Sequence, residues 1–343
     1  MLGHPKPGPA MSAGRGRTRR TALGLALTAV VVATVSGCGL LGGSDSSSAS
    51  SGNLEKSKIK VSILPATDLG PFWLAQDNGY FKAEGLEVES VTAASGQASM
   101  TKAINGEADI AFSTYQPFFI AKSTGTADVQ LVADATAVNP KTNAIVTVPN
   151  SPVKTVNDLA GKKIAVTALN TASHILTVSV MKDHGVDTSK VQWVPIPLPN
   201  IAQALRQGQV DAAYLPEPWI TQAAKLAGAT PIIDIDTGAS KDFPLTGYGT
   251  TAKWVQANPK TLAAFQRAMQ KATRDSSDRS KIEPLMVKYA HVDADTAKLM
   301  PLPAYLSTLD ARRLQRVPDL LLQMGIITAK IDAAPMIAPQ ANS

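Results

Sequence analysis

The chain has 343 residues, a formal net charge of +6 and a single cysteine, Cys38. Five of the basic residues precede Cys38 with no acidic residue among them, which leaves a charge of +1 for the rest of the chain. This balance gives no electrostatic support for nucleic-acid binding, and the sequence contains no nucleic-acid-binding motif. One cysteine excludes an intramolecular disulfide.

Residues 1–37 are predicted to be a signal peptide. Basic residues precede an apolar run over residues 21–35, which suits a signal-peptide core and is short for a membrane span. The run ends in Val-Ser-Gly-Cys, which resembles a bacterial lipobox, and this resemblance implies that Cys38 is lipidated and becomes the mature N-terminus. We expect anchoring at the outer face of the bacterial cytoplasmic membrane. Thr18-Arg19-Arg20 resembles a twin-arginine signal, so both the Sec and the twin-arginine route stay open.

Residues 38–57 are rich in glycine and serine and predict a flexible tether. Such a tether spans roughly 25 Å, taking about 5–6 Å times the square root of its length. After the tether we expect two lobes. Lobe 1 is predicted over residues 58–139 and 246–343, and lobe 2 over residues 140–245.

Short apolar runs, capping residues and stopping glycines predict an α/β protein from residue 58 onward. In chain order, strands are predicted over residues 59–64, 86–91, 109–112, 164–166, 191–196, 212–215 and 231–235. Helices are predicted from Pro71 and over residues 80–84, 97–105, 171–184, 200–207, 259–274, 282–289, 293–300 and 310–324. Residues 130–148 hold two extended stretches broken at Asn139-Pro140 and are interpreted as the first crossing between the lobes, and residues 236–245 as the return to the first lobe.

A phrase occurs twice, about one hundred residues apart. Residues 103–112 read AINGEADIAF, and residues 204–219 read ALRQGQVDAAYLPEPW. In each copy a glycine precedes an aspartate by three residues, and a short strand with an aromatic residue follows. The repeat favours two similar α/β lobes over a solenoid, whose repeats are far shorter. In open α/β sheets, ligands bind at the carboxyl ends of such strands.

Several phrases together resemble one family, the solute-binding lipoproteins of ABC importers for nitrate, sulfonates, taurine and thiamine precursors. They are Pro71-Phe72-Trp73-Leu74-Ala75, the run NGYFKAEGLEV from Asn78, both copies of the repeat, DLAGKKIAVT from Asp158, and the helix after Asn258-Pro259. The resemblance covers about residues 58–275. It implies a type II periplasmic-binding-protein fold, with two α/β lobes joined by two crossing segments and a ligand cleft between them. It also implies a small-molecule ligand and ABC permease and ATPase partners.

Hydroxyl side chains stand at two predicted helix starts that face the expected cleft: Ser113 with Thr114, and Thr171 with Ser173. Hydroxyls and free backbone N–H groups there can hold a sulfonate, nitrate or carboxylate oxygen, although plain helix capping explains them equally well. Asn170 ends the loop before the second of these helices, and we include it in the candidate site.

Two acidic residues are candidates for an amino or amidine group of the ligand. Glu217 lies between two prolines that stiffen its loop, with a solvated loop residue as the alternative, and Asp68 follows the first strand. Aromatic residues are candidates for cleft walls or for core: Phe72, Trp73, Trp219 and Tyr248. His174 matches a position near the family's second-lobe loop, although packing explains a lone helical histidine as well.

These features favour a binding protein over an enzyme, and we expect no cofactor, no metal site and a monomer. A related class of pyrimidine synthases carries a cysteine-rich motif, which is absent after Cys38. The histidines at 174, 184 and 291 lack the spacing of metal ligands. A ligand-sensing lipoprotein is the other alternative. An aliphatic sulfonate or taurine-like solute is the preferred ligand, with nitrate or a thiamine-precursor pyrimidine next.

Overall fold

The computed structural model describes residues 54–64 and 66–341. The predicted signal peptide, most of the predicted tether and Cys38 lie outside the described residues. No helix in the described ranges is both long and apolar enough to cross a bilayer.

The described chain folds as an α/β protein with two sheets. The first part contains β1 (Lys58–Ile63), α1 (Gly70–Asp77), α2 (Tyr80–Ala83), β2 (Glu87–Thr92), α3 (Gly96–Ile104), β3 (Ile110–Thr114), α4 (Tyr115–Ser123) and β4 (Val129–Ala137). The middle part contains β5 (Asn143–Thr147), β6 (Lys163–Val166), α5 (Ala172–Asp183), β7 (Gln192–Pro195), α6 (Leu198–Arg206), β8 (Ala212–Pro216), α7 (Trp219–Ala227) and β9 (Thr230–Asp234). The last part contains β10 (Pro244–Thr251), α8 (Ala252–Ala257), α9 (Pro259–Asp275), α10 (Arg279–Tyr289), α11 (Ala294–Leu299), β11 (Ala304–Tyr305) and α12 (Ala311–Gln323).

The two sheets share one arrangement over five strands, and β11 is a sixth strand in the first sheet. The first has the order β11-β4-β10-β3-β1-β2, and the second has the order β7-β6-β8-β5-β9. In each, three parallel strands are followed by an antiparallel one: β10 lies beside β3, and β5 lies beside β8. We call each sheet with its packed helices a lobe. The chain passes from the first lobe to the second between β4 and β5 and returns between β9 and β10, which confirms the predicted two-lobe fold.

The repeated phrase occupies equivalent places in the two lobes. Gly106 and Gly208 follow α3 and α6 with φ values of 76° and 67°, the left-handed conformation that ends helices without strain in glycine. Asp109 and Asp211 then each accept a hydrogen bond from a backbone N–H of the neighbouring parallel strand, that of Lys60 in β1 or Lys163 in β6, at 2.8 Å. In both lobes the repeat therefore connects the end of a helix to an inner strand of the sheet.

Strands β10 and β11 and helices α7 and α8 were not predicted. β10 carries two glycines, which normally weaken a strand and mark close backbone approach. A Cβ atom at Gly247 would overlap the ring of Tyr115, and one at Gly249 would overlap Phe118. The glycines thus let α4 pack directly on the strand, a tertiary requirement that local sequence does not display.

The last residues of the predicted tether contact the first lobe. The Glu55 carboxylate accepts hydrogen bonds from the backbone N–H groups of Lys260 and Thr261, both at 3.0 Å, at the start of α9. Lys56 Nζ lies 2.5 Å from Asp109 Oδ1. Residues 55 and 56 are therefore held by the folded chain, and the division into tether and lobes at residue 57 stays a prediction.

Candidate functional site

A cavity with a volume of about 60 Å³ lies between the two lobes. Its wall is built at the carboxyl ends of β1, β3, β6 and β8, the edge at which open α/β sheets bind ligands, together with parts of β5, β10 and the starts of α3, α5 and α6. The lining residues are Leu64, Ala66, Asp68, Gly96, Phe112, Thr114, Asn143, Thr167, Thr171, Ser173, Leu198, Tyr214, Pro216, Leu245 and Thr246.

Asp68 supplies the cavity with a carboxylate. Its side chain is 5% exposed, and its Oδ1 accepts hydrogen bonds from Thr136 Oγ1 at 2.7 Å and Thr246 Oγ1 at 3.2 Å. Burial raises the pKa of Asp68, and the threonine hydrogen bonds oppose that rise. Burial, and then the charge of Asp68, also raise the pKa values of Tyr214 and Tyr305, so these phenols stay protonated around the carboxylate.

Hydroxyl groups line the opposite, second-lobe side at the start of α5. Ser173 Oγ accepts from the Thr167 backbone N–H at 3.0 Å and lies 2.9 Å from Thr171 Oγ1. The Thr171 side chain makes no capping hydrogen bond, and its hydroxyl donates to the Ala168 carbonyl at 2.9 Å. At the start of α5, the His174 N–H donates to the Thr171 carbonyl at 3.1 Å, and the Ala172 N–H reaches Thr114 Oγ1 at 3.5 Å.

Each copy of the repeated phrase contributes an aromatic residue to the cavity. Phe112 on β3 and Tyr214 on β8 both line it. The Tyr214 hydroxyl donates to Asn143 Oδ1 on neighbouring β5 at 2.6 Å, which fixes the ring. These aromatic residues, with Leu198 and Leu245, give the cavity apolar walls around a few polar groups, as is usual for small-molecule sites.

The sequence matches the family described as NMT1/THI5 like over residues 66–279. It is 27% identical over 215 residues to a putative aliphatic sulfonates-binding protein of Escherichia coli K12, an alignment that covers 62% of this chain and 63% of that protein. The chain thus aligns with less than two thirds of this curated relative. This chain belongs to the NMT1/THI5-like family.

Known structures similar to this family member share its fold. The alkanesulfonate-binding protein SsuA from Xanthomonas axonopodis pv. citri, bound to MOPS, superimposes with a TM-score of 0.71 at 17% identity, over 83% of this chain and 99% of that one. The ligand-binding component of an ABC-type import system from Staphylococcus aureus, with zinc bound, gives a TM-score of 0.71 at 14% identity, over 83% and 97% of the two chains. These proteins are described by what they bind, and none of the three is described as an enzyme.

Four of the eleven predicted ligand residues of this NMT1/THI5-like chain line the cavity: Asp68, Thr114, Thr171 and Ser173. Ser113 lies within β3, between the cavity-lining residues Phe112 and Thr114. Because successive strand residues face opposite sides of a sheet, Ser113 faces away from the cavity. Asn170 is exposed with a φ of 61°, and its backbone N–H donates to His174 Nδ1 at 3.2 Å. Burial lowers the pKa of His174 to about 4, so this histidine is neutral.

Glu217 is 4% exposed but is absent from the cavity lining. Its carboxylate oxygens accept from the backbone N–H of Thr221 at 3.2 Å and from the Thr221 hydroxyl at 3.0 Å, in the first turn of α7. Glu217 therefore caps α7 from within the lobe. Of the two candidate acids, Asp68 faces the cavity, whereas Glu217 holds a helix start.

The four predicted aromatic residues pack within the lobes. Phe72 and Tyr248 are fully buried in the first-lobe core, with ring centroids 6.4 Å apart. Trp73 stacks on Tyr289 at 3.9 Å, and Trp219 packs against the core of the second lobe. The aromatic residues of the cavity are Phe112 and Tyr214, and the repeat was the signal that could have identified them.

The two lobes touch across and beside the cavity. Thr67 Oγ1 of the first lobe donates to the Glu217 carbonyl of the second at 3.1 Å, and the Ala172 backbone N–H reaches Thr114 Oγ1 at 3.5 Å. Farther out, Lys225 on α7 pairs with Asp293, the residue that caps α11. These contacts join segments that meet only when the lobes are together.

No group of three or more His, Cys, Asp or Glu side chains within the described ranges could hold a metal ion. The cavity lining contains no Lys, Arg or His, and Asp68 is its one charged residue within the described part of the chain.

Proposed function

We propose that this chain is the extracytoplasmic solute-binding component of an ABC importer and that it captures a small organic solute between its lobes. The cavity carries this proposal, because its wall comes from both lobes and a bound molecule would lie against both. The likeness to proteins described as sulfonate-binding and as a component of an ABC-type import system supports it.

The organisation of the chain follows from the same proposal. The signal peptide ends before Cys38, the lipid on Cys38 holds the protein at the membrane, and the tether lets the two lobes reach a permease driven by its ATPase. The lobes separate to admit the solute and close on it as a monomer.

For the solute, we propose a small molecule with an anionic head, and an aliphatic or taurine-like sulfonate is the first choice. The hydroxyls of Thr114 and Ser173 line the cavity and can donate to sulfonate oxygens. Nitrate and a thiamine-precursor pyrimidine are the alternatives to be tested beside it.

Thermal unfolding of the purified protein with each candidate solute tests the proposal. A solute that binds only the folded protein stabilises it by about 2.7 kcal/mol at a hundredfold excess over Kd. We expect a saturable rise in Tm with at least one solute and, in small-angle X-ray scattering, a smaller radius of gyration with that solute bound. Absence of any rise across sulfonates, nitrate and pyrimidines would overturn the proposal.

A further inference from the structure

We infer that Asp68 selects the solute by charge, so that this cavity takes a molecule carrying a protonated or N–H-rich nitrogen and rejects plain alkylsulfonates and nitrate. This inference rests on the proposed function and narrows the solute class. It makes Asp68 a specificity-determining residue.

The first observation is the electrostatic balance of the cavity. Asp68 is the one charged side chain in the lining, and no ion pair to a Lys, Arg or His is found for it within the described residues. Burying a carboxylate without a cationic partner is costly. A cationic group of a ligand would remove this cost, whereas an anionic group beside Asp68 would add repulsion.

The second observation is the hydrogen bonding of the carboxylate. Both threonine contacts, from Thr136 and Thr246, end on Oδ1, and these two hydroxyl oxygens also lie 2.6 Å apart. Each hydroxyl has one proton, so the three contacts share two protons. Among the described residues, no other residue donates to Oδ2. The carboxylate therefore has capacity for a ligand donor.

The third observation is the position of the remaining polar groups. Hydroxyls of Thr171 and Ser173 lie in the second lobe, whereas Asp68 lies in the first. A solute with a nitrogen donor at one end and an acceptor or anionic group at the other would contact both lobes. A plain alkylsulfonate offers Asp68 only a methyl group, and nitrate offers it only negative charge.

Isothermal titration with matched pairs tests the inference. One pair is 2-aminoethanesulfonate and ethanesulfonate, and the other is 4-amino-5-hydroxymethyl-2-methylpyrimidine and its 4-hydroxy analogue. The second member of each pair lacks the amino group that would make a charge-assisted hydrogen bond to Asp68. We therefore expect the wild type to bind the amino member of at least one pair about ten- to a hundredfold more tightly than its partner. Asp68→Asn should abolish this preference, and Glu217→Gln, the matched buried carboxylate outside the cavity, should retain it.

Acidification supplies a second readout. Binding of the amino member should weaken as the pH falls through the raised pKa of Asp68, and the Asn variant should lack this dependence. Equal or tighter binding of ethanesulfonate, or tighter binding of 2-aminoethanesulfonate at low pH, would overturn the inference while leaving the proposed function in place. If none of the four probes binds, the inference is overturned, whether or not nitrate binds. If nitrate does not bind either, the proposed function is overturned as well. The wild-type comparison decides the matter even if Asp68→Asn does not fold.

Discussion

At the scale of single residues, burial alone does not tell which acid serves a ligand. Asp68 and Glu217 are both nearly inaccessible, and burial raises the pKa of each. Their partners distinguish them. Glu217 accepts from the backbone and hydroxyl of Thr221 within one helical turn, whereas Asp68 faces a cavity shared by two lobes.

Replacing Glu217 with alanine should therefore lower stability and leave solute affinity nearly unchanged. Loss of a capping acceptor costs about 0.5–2 kcal/mol, because an N–H at the helix start is left unsatisfied. Urea unfolding would measure the change, and Thr221→Val, which removes the hydroxyl and keeps the backbone N–H, should cost less. A tenfold loss of solute affinity in Glu217→Ala without loss of stability would contradict this assignment.

At the scale of elements, aspartates fasten neighbouring segments of the sheets. Asp109 accepts from the Lys60 N–H, from Trp254 Nε1 at 2.9 Å and from Lys56 Nζ, whereas Asp211 accepts from the Lys163 N–H. The equivalent residues of the two lobes thus hold different numbers of donors.

We expect Asp109→Ala to destabilise the protein more than Asp211→Ala. A hydrogen bond to a charged group contributes about 1.5–3 kcal/mol, and Asp109 holds more such bonds than Asp211. Chemical denaturation of both variants gives the comparison, with the unfolding slope as a check that the denatured state is unchanged. Equal losses would show that the additional partners of Asp109 contribute nothing measurable.

A second element-scale prediction concerns α12 and strand β4. Asp134 on β4 is paired with Arg313 on α12 and accepts from the Tyr115 hydroxyl at 2.7 Å. Burial raises the pKa of Asp134 to about 6, against the lowering effects of Arg313 and Tyr115. A carboxyl whose pKa is higher in the folded than in the unfolded state binds more protons when folded, so its contribution to stability is lost as the pH rises.

The unfolding free energy of the wild type should therefore fall more between pH 4 and about pH 6 than that of Asp134→Asn. Denaturation of both proteins at intervals across this range supplies the two profiles. Because Asn removes the titration but also a partner of Arg313, the slopes are compared rather than the absolute stabilities. Parallel profiles would contradict the raised pKa.

At the scale of the whole molecule, contacts between lobes decide how tightly the cavity stays closed. Lys225 of the second lobe reaches Asp293 and also donates to Thr296 Oγ1 at 2.5 Å in the first lobe, away from the cavity. Surface pairs contribute about 0–1 kcal/mol, and a contact made only in the closed state adds that amount to ligand binding.

Lys225→Met should therefore raise the solute Kd up to about fivefold, mainly through faster release. Lys122→Met is the control, since Lys122 pairs with Asp128 inside the first lobe, at 2.5 Å, and should leave Kd unchanged. Stopped-flow experiments measure the rate of solute release, and calorimetry measures Kd. An unchanged Kd in Lys225→Met, or an equal change in the control, would show that this pair does not affect closure.

The anchoring proposal is also tested on the whole molecule. Cys38→Ser should release the protein from membranes of the host, because the lipid on Cys38 is the proposed anchor. Fractionation followed by a high-salt wash and immunoblotting measures the distribution, with a conservative change in the tether, Ser46→Ala, as the control. Retention of the Ser variant in the washed membrane fraction would contradict lipid anchoring.

Elements with local sequence signals could be predicted from the sequence alone. The glycines after α3 and α6, the capping residues and the short apolar strands predict the alternating order, and the repeated phrase predicts two similar lobes. Hydrophobic periodicity and left-handed glycines act within one or two turns of chain, so they can be read without knowing what packs where. β10 was missed because Gly247 and Gly249 serve a helix that packs on them from elsewhere.

Only the tertiary structure decided which polar and aromatic residues face the cavity. Glu217 and Asp68 both follow a strand, and Trp73 and Phe112 are both aromatic residues near strand ends or helix starts. Their orientation depends on the strand register and on which lobe approaches them, and neither is encoded within a few residues. A site made at the meeting of two lobes joins residues more than one hundred positions apart, such as Asp68 and Ser173. Local patterns indicate that such residues lie at strand ends, whereas packing determines which of them meet.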